Sequence, residues 1–124
     1  PVTARAALTT LAIIDEEGLV ERAAELGAMA MKRLSTLMAH SPIVGDVRGR
    51  GLMMGVEIVT DGDGRLPDPE RAERVYYRCL ADGLSFKISA GNVLTLSPPL
   101  VISQADLTRA LEIVEAAILA EGPR

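Results

Sequence analysis

The chain has 124 residues, a formal net charge of -4 and 48% apolar side chains, enough to bury a core as one domain without disulfide staples. An acidic chain with no basic run argues against nucleic-acid or anionic-membrane partners. Phe86, Tyr76 and Tyr77 are its only aromatics, too few to stack single-stranded bases, so the core is aliphatic.

Ala4, Ala7, Leu8, Leu11 and Ile14 recur at helical spacing, which predicts a first amphipathic helix that breaks at Gly18. A second helix follows with Leu19, Ala23, Leu26, Ala30, Leu34 and Leu37 as its stripe, ended by His40-Ser41-Pro42, since a proline disfavours helical backbone in the residue before it. Ile43–Val47 and Leu52–Val59 read as two strands separated by a glycine-rich loop. Asp61-Gly62-Asp63-Gly64 is a turn by composition. Asp68-Pro69 gives an N-cap with proline at the first helical position. The helix that follows turns Ala72, Val75, Tyr76, Cys79 and Leu80 inward, and Gly83 sits where its C-terminal cap belongs.

Leu84–Ile88 and Asn92–Leu96 flank Ser89-Ala90-Gly91 as a β-hairpin, stopped by Pro98-Pro99. Ser103-Gln104-Ala105-Asp106 resembles a capping box. It opens a last helix with Leu107, Ala110, Leu111, Val114, Ala117 and Ile118 on one face, ending at Gly122-Pro123. The expected fold is α+β: a three- to four-stranded, mainly antiparallel sheet with helices on one face. Residues 1–124 form one domain. Pro1 stands in place of an initiator Met and leads directly into a helix, which points to a piece of a longer chain. Cys79 is alone, leaving neither a disulfide framework nor zinc-ligand spacing, and no signal peptide or membrane-spanning run is visible. A soluble, cytoplasmic chain is expected.

The densest motif is Val47-Arg48-Gly49-Arg50-Gly51-Leu52-Met53-Met54-Gly55-Val56-Glu57. Its glycines, Gly49, Gly51 and Gly55, are followed by a strand rather than a helix, and no Gly-Lys-Ser/Thr occurs, so neither a dinucleotide fingerprint nor a P-loop fits. A tight structural turn is the better reading. Arg48 and Arg50 alternate on extended backbone and so share a face, where they suit a carboxylate or phosphate. A structural ion pair to Asp46 or Glu57 is the competing expectation for at least one of them. Asp61 and Asp63 fail as a calcium loop because Arg65 takes the next ligand position. His40, the only histidine, has no triad partner and is expected to face solvent, and Cys79 to be an inert buried side chain. Lys87 sits opposite Phe86 and Ile88 in the alternation, as an outward-facing strand lysine. No residue set completes a catalytic, cofactor or metal site.

Three blocks carry a family resemblance: Pro1-Val2-Thr3-Ala4-Arg5-Ala6-Ala7, the Val47–Glu57 segment, and Gly91-Asn92-Val93-Leu94-Thr95-Leu96-Ser97-Pro98-Pro99-Leu100-Val101-Ile102. In this order they span nearly the whole chain, which resembles the carboxyl-terminal small domain of the class III (omega) aminotransferases, pyridoxal-phosphate enzymes of fold type I. The resemblance implies a parent enzyme that moves an amino group between an amine or amino acid and a keto acid, working as a homodimer. It further implies that the Schiff-base lysine, the acid on the pyridine nitrogen and the ring-stacking aromatic lie upstream, leaving this piece inactive by itself and without cofactor. Arg48, Arg50 and Thr95 are the substrate-side candidates. Many relatives that use amino acids carry Arg at the position of Thr95, where it serves the substrate carboxylate. Thr95 cannot make that charged contact, which leaves room for a substrate bearing an amine, phosphonate or phosphate. Lyase chemistry on the same scaffold, a small-anion-binding module and a dimerisation module are the alternatives.

Overall fold

A computed structural model describes residues 1–61 and 64–122. Gly62 and Asp63 of the expected turn, and Pro123, lie outside the described residues. The elements run α1 (Val2–Glu16), α2 (Leu19–His40), β1 (Val44–Arg50), β2 (Met53–Ile58), α3 (Pro69–Ala81), β3 (Lys87–Ser89), β4 (Val93–Leu96) and α4 (Gln104–Ala120). The strands form one sheet in the order β1-β2-β4-β3, with every neighbouring pair antiparallel. This is the expected α+β arrangement.

Side chains alternate across a strand, and β2 sorts accordingly: Met54, Val56 and Ile58 are buried while Met53 is exposed. Their partners Leu96 and Leu94 on β4 are buried on the same face. Against this face pack Leu26, Ala30, Leu34 and Leu37 of α2, Ala72, Val75 and Cys79 of α3, and Leu107, Leu111, Val114 and Ile118 of α4. The core is therefore aliphatic, as the scarcity of aromatics requires. Among the described residues no helix is long and apolar enough to cross a membrane.

Helix ends follow local chemistry. The Asp68 carboxylate accepts the Arg71 backbone N–H at 3.0 Å, with Pro69 at the first helical position. At the other end of α3, Gly83 (φ +86°) lets its own N–H reach the Leu80 carbonyl and the Leu84 N–H reach the Cys79 carbonyl. That is the Schellman pattern, in which a left-handed residue returns the chain over the last turn. Ser103 accepts the Asp106 N–H at 3.0 Å and donates its hydroxyl to the Asp106 carboxylate at 2.6 Å. Ser103 thus caps the start of α4 with only the first half of the expected capping box, the Asp106 carboxylate taking the hydroxyl in place of the Ser103 N–H.

Three expectations about the helices and the hairpin differ from the structure. The first strand of the hairpin does not begin at Leu84, because the Leu84 N–H is committed to the end of α3. Regular pairing starts only at Lys87. Leu80 points outward, 44% exposed, since it lies one step of roughly 100° beyond Cys79 and leaves the buried line of Ala72, Val75 and Cys79. The apolar stripe of α1 forms a helix but buries nothing: no residue of α1 is buried, and Leu8 and Leu11 are each 64% exposed. Its packing partner among the described elements is α2 alone. Helical periodicity dictates which residues share a face, whereas burial needs a partner.

Ion pairs fasten the helix layer. Arg33 on α2 grips Glu115 on α4 through two hydrogen bonds of 2.7 and 2.6 Å. Glu121, at the end of α4 with its side chain 8% exposed, receives Arg74 and Arg78 of α3 at 2.8 and 2.9 Å. The Arg74 hydrogen bond, opposed by desolvation and joined by Arg78, holds the Glu121 carboxyl below its ordinary range. A carboxylate with a depressed folded pKa stabilises the fold above its unfolded value of about 4.3, and loses that contribution as pH falls through the folded value. We predict that Glu121→Gln lowers stability at neutral pH, and that the gap to the wild type closes as pH falls below the ordinary glutamate value. Urea unfolding at a series of pH values measures it.

Backbone meets backbone at Gly27 of α2 and Gly51 of the β1–β2 turn. A Cβ on Gly27 would stand 2.2 Å from the Gly51 carbonyl oxygen. Gly27→Ala gains helix propensity of about 1 kcal/mol but forces the turn away from the helix, and overpacking of this kind costs about 1–3 kcal/mol. A net loss of stability is expected, measured by the urea midpoint. An unchanged or raised midpoint would show that the turn yields freely.

Candidate functional site

The sheet has a second face, turned away from the helices. Pairing places Arg48 opposite Gly55, Gly55 opposite Thr95, and Thr95 opposite Lys87. These four residues form one row across all four strands. Neighbouring strands lie about 4.8 Å apart, so the row spans roughly three such steps. Asp46, Glu57, Val93 and Ser89 form the parallel row on one side, and Arg50 and Met53 flank it on the other.

The three glycines of the motif have three different settings. Only Gly51 lies in the turn. It takes φ +54° at the first position of a two-residue loop closed by the Arg50–Met53 pair, the place where hairpin geometry favours glycine. Gly49 is inside β1, where a Cβ would come within 2.5 Å of the Met53 carbonyl oxygen. Gly55 is inside β2, where a Cβ would stand 3.2 Å from Val93. The sequence reading that assigned all three to one turn is corrected at Gly49 and Gly55.

Arg48 and Arg50 share the open face, as their spacing required, but differ in charge state of their surroundings. Arg48 donates to Asp46 at 2.7 Å and to Glu57 at 3.4 Å, and these hydrogen bonds raise its already high pKa. Its charge is spent within the sheet. Arg50 has no ion pair among the described residues, and lines a cleft of about 470 Å³ with Val20, Met53, Ser97 and Leu100. The Thr95 hydroxyl donates to Ser89 Oγ at 2.8 Å. Asn92, which the sequence reading passed over, is buried and donates to the Ile58 carbonyl at 2.9 Å and toward Glu57 at 3.4 Å. It ties the β3–β4 loop to β2. Its place next to the loop glycine was the only signal available.

The remaining candidates stand apart from this face. His40 is exposed at the end of α2, with Nδ1 2.7 Å from the Thr36 carbonyl. Asp61 lies 3.7 Å from Arg71, and Asp63 is outside the described residues. Among the described residues no group of acids, histidines and cysteine is placed to hold a metal.

Pyridoxal phosphate needs a lysine for its aldehyde and neighbours that tune its ring. The two lysines do not provide this. Lys32 is exposed on α2 and Lys87 is exposed on β3, and neither has an acid partner among the described residues. The described residues do not fit the cofactor.

The family model for class III aminotransferases matches residues 1–118. The chain belongs to the class III aminotransferases. It is 44% identical over 118 residues to an (R)-1-hydroxy-2-aminoethylphosphonate ammonia-lyase of Vibrio splendidus, covering 95% of this chain and 25% of that protein. It is 42% identical over 123 residues to a 4-aminobutyrate aminotransferase of Mycobacterium bovis, covering 98% and 27%. Among solved structures it superposes on an Arthrobacter phospholyase in complex with phosphoethanolamine with a TM-score of 0.90 and 31% identity, covering 97% of this chain and 29% of that one. The chain spans about a quarter of the length of the curated relatives it matches. These class III relatives thus include both transfer and elimination chemistry.

Cys79 is excluded as a nucleophile in this class III chain. It is fully buried, and desolvation pushes its thiol up to about 11. A thiol must be ionised and reached to react, so Cys79 is expected to stay unmodified by a disulfide reagent in the folded chain and to react stoichiometrically in denaturant. Rapid labelling without denaturant would contradict its placement.

Proposed function

We propose that these residues are the carboxyl-terminal small domain of a pyridoxal-phosphate-dependent class III enzyme, carried on a longer chain. In this reading the longer chain supplies the lysine that anchors the cofactor, the acid on its pyridine nitrogen and the aromatic over its ring. The 124 residues alone are catalytically inactive. The bound cofactor serves as the electron sink for amino-group chemistry, and the small domain's part is to close over the substrate and orient it. The whole works as a cytoplasmic homodimer that transfers an amino group between an amine or amino acid and a keto acid.

One observation carries the substrate-side assignment: the helix core packs on only one face of the sheet, and Arg50, Thr95 and the Arg48–Asp46–Glu57 cluster all lie on the other. A polar sheet face with a bare strip at Gly55 admits a small molecule more readily than the opposite, tightly packed face. Arg50 and Thr95 are then substrate contacts. Arg48, held by Asp46 and more loosely by Glu57, is a structural neighbour of these contacts. A second reading, elimination rather than transfer, is favoured by Thr95, which offers a hydroxyl and no charge for a substrate carboxylate, and by the likeness to an ammonia-lyase and a phospholyase.

The reading is tested on both lengths of chain. The 124-residue chain, incubated with pyridoxal phosphate and reduced with borohydride, is expected to retain no stoichiometric adduct by mass spectrometry. The longer chain is expected to retain one and to turn over amines. A stoichiometric adduct on Lys32 or Lys87 of the short chain would overturn the division of labour.

A further inference from the structure

We propose that Lys87 and the Ser89 hydroxyl, which Thr95 orients, bind a tetrahedral dianionic group on the substrate, a phosphonate or phosphate monoester. This deepens the reading above and rests on the open face of the sheet meeting the substrate.

The argument begins with the cross-strand pairing. Lys87 lies directly opposite Thr95, and Ser89 lies two residues along β3 on the same face. Residues spaced by two on a strand are about 6.6 Å apart, close enough for an ammonium on a four-carbon stem and a hydroxyl to converge on one small anion. Thr95 donates its hydroxyl proton to Ser89, which leaves the proton of Ser89 itself for another acceptor. Lys87 is exposed, and it makes no hydrogen bond and no ion pair among the described residues. Across the bare strip at Gly55, Arg48 is already committed to Asp46 and Glu57. The uncommitted positive charge beside Thr95 is therefore that of Lys87.

The geometry of the donors selects the anion. A planar carboxylate is best met by the fork of one guanidinium, which presents two parallel N–H groups. Lys87 and Ser89 instead offer separate donors spaced along β3, with Ser89 oriented by the Thr95 hydroxyl, and an ammonium acts as a point charge with three donors. A tetrahedral group with three terminal oxygens uses such a spread arrangement, where a carboxylate leaves part of it unused. The acids of the same face keep one uncompensated negative charge, but they sit in the row of Val93 and Ser89, beside rather than in the row of Lys87 and Thr95. Glu57 is held by Arg48 at one oxygen and approached by Asn92 at the other, and Asp46 is paired with Arg48. A leucine or valine in place of Ser89 would satisfy the sheet equally well, so a hydroxyl pair at Ser89 and Thr95 is not demanded by the fold.

The experiment measures methylphosphonate binding to the full-length enzyme by titration calorimetry, with acetate as the planar control. Wild type is expected to prefer methylphosphonate to acetate. Lys87→Met should weaken methylphosphonate binding at least tenfold, and Lys87→Arg, which keeps the charge, should lose less than threefold. Ser89→Ala should weaken it severalfold, with acetate unchanged. Turnover of 2-aminoethylphosphonate and of phosphoethanolamine then separates the phosphonate from the phosphate ester, each with a raised KM in Lys87→Met. Equal binding by Lys87→Met and wild type, or a wild-type preference for acetate, would overturn the proposal. Failure of the longer chain to turn over any amine would instead refute the enzymatic reading, and the binding result would still decide the role of Lys87.

Discussion

Helix α2 and the turn between β1 and β2 touch through peptide backbone, with Gly27 against Gly51 and no side chain between them. The contact sets the distance between the helix layer and the sheet at the end where the Arg-rich strand turns. Leu26, Ala30 and Leu34 then belong to the same buried cluster as Met54 and Val56. A close-packed aliphatic core has little tolerance for displacement, and Phe86 is the one aromatic ring packed against this one among the described residues. Gly51 also has to adopt a left-handed conformation for the two-residue loop to close. Both glycines serve one contact from its two sides.

Fixing the sheet against α2 also fixes what the other face presents. Because side chains alternate, each buried residue of β2 hands its neighbour to the open side: Met54 and Val56 go in, so Gly55 and Glu57 come out. The same alternation on β4 turns Thr95 out between Leu94 and Leu96. The substrate-side candidates are thus positioned by the core, and a one-residue slip of register would bury them. Charge is then partitioned within the face. Arg48 pairs with both acids and offsets one of their two charges, while Arg50 and Lys87 have no ion pair among the described residues.

Most of the fold was legible in the chain itself. Gly18, Asp68-Pro69, Gly83 and Ser103 marked helix ends that the structure places at or beside them, because caps depend on the few residues around them. The stripes of α2 and α4 were readable for the same reason. The stripe of α1 was equally clear as a pattern yet found no core to enter. Leu84 to Phe86 had strand composition, but the end of α3 claimed the Leu84 N–H. Arg48 suits either an anion ligand or an ion-pair former by its sequence, and the structure pairs it with Asp46 two residues away at 2.7 Å and with Glu57 on β2 at 3.4 Å.

The sequence by itself determined the class of fold, the aliphatic core and the resemblance to class III aminotransferases, since each rests on local order along the chain. Only the tertiary structure decided that Gly27 and Gly51 meet, and that Arg48, Gly55, Thr95 and Lys87 stand in one row. Those residues are drawn from separate elements, and nothing in local spacing states which strand lies beside which. The order β1-β2-β4-β3 inserts the last strand between the second and the third. With that order and register the helices cover one face of the sheet, and Arg48, Thr95 and Lys87 stand on the other.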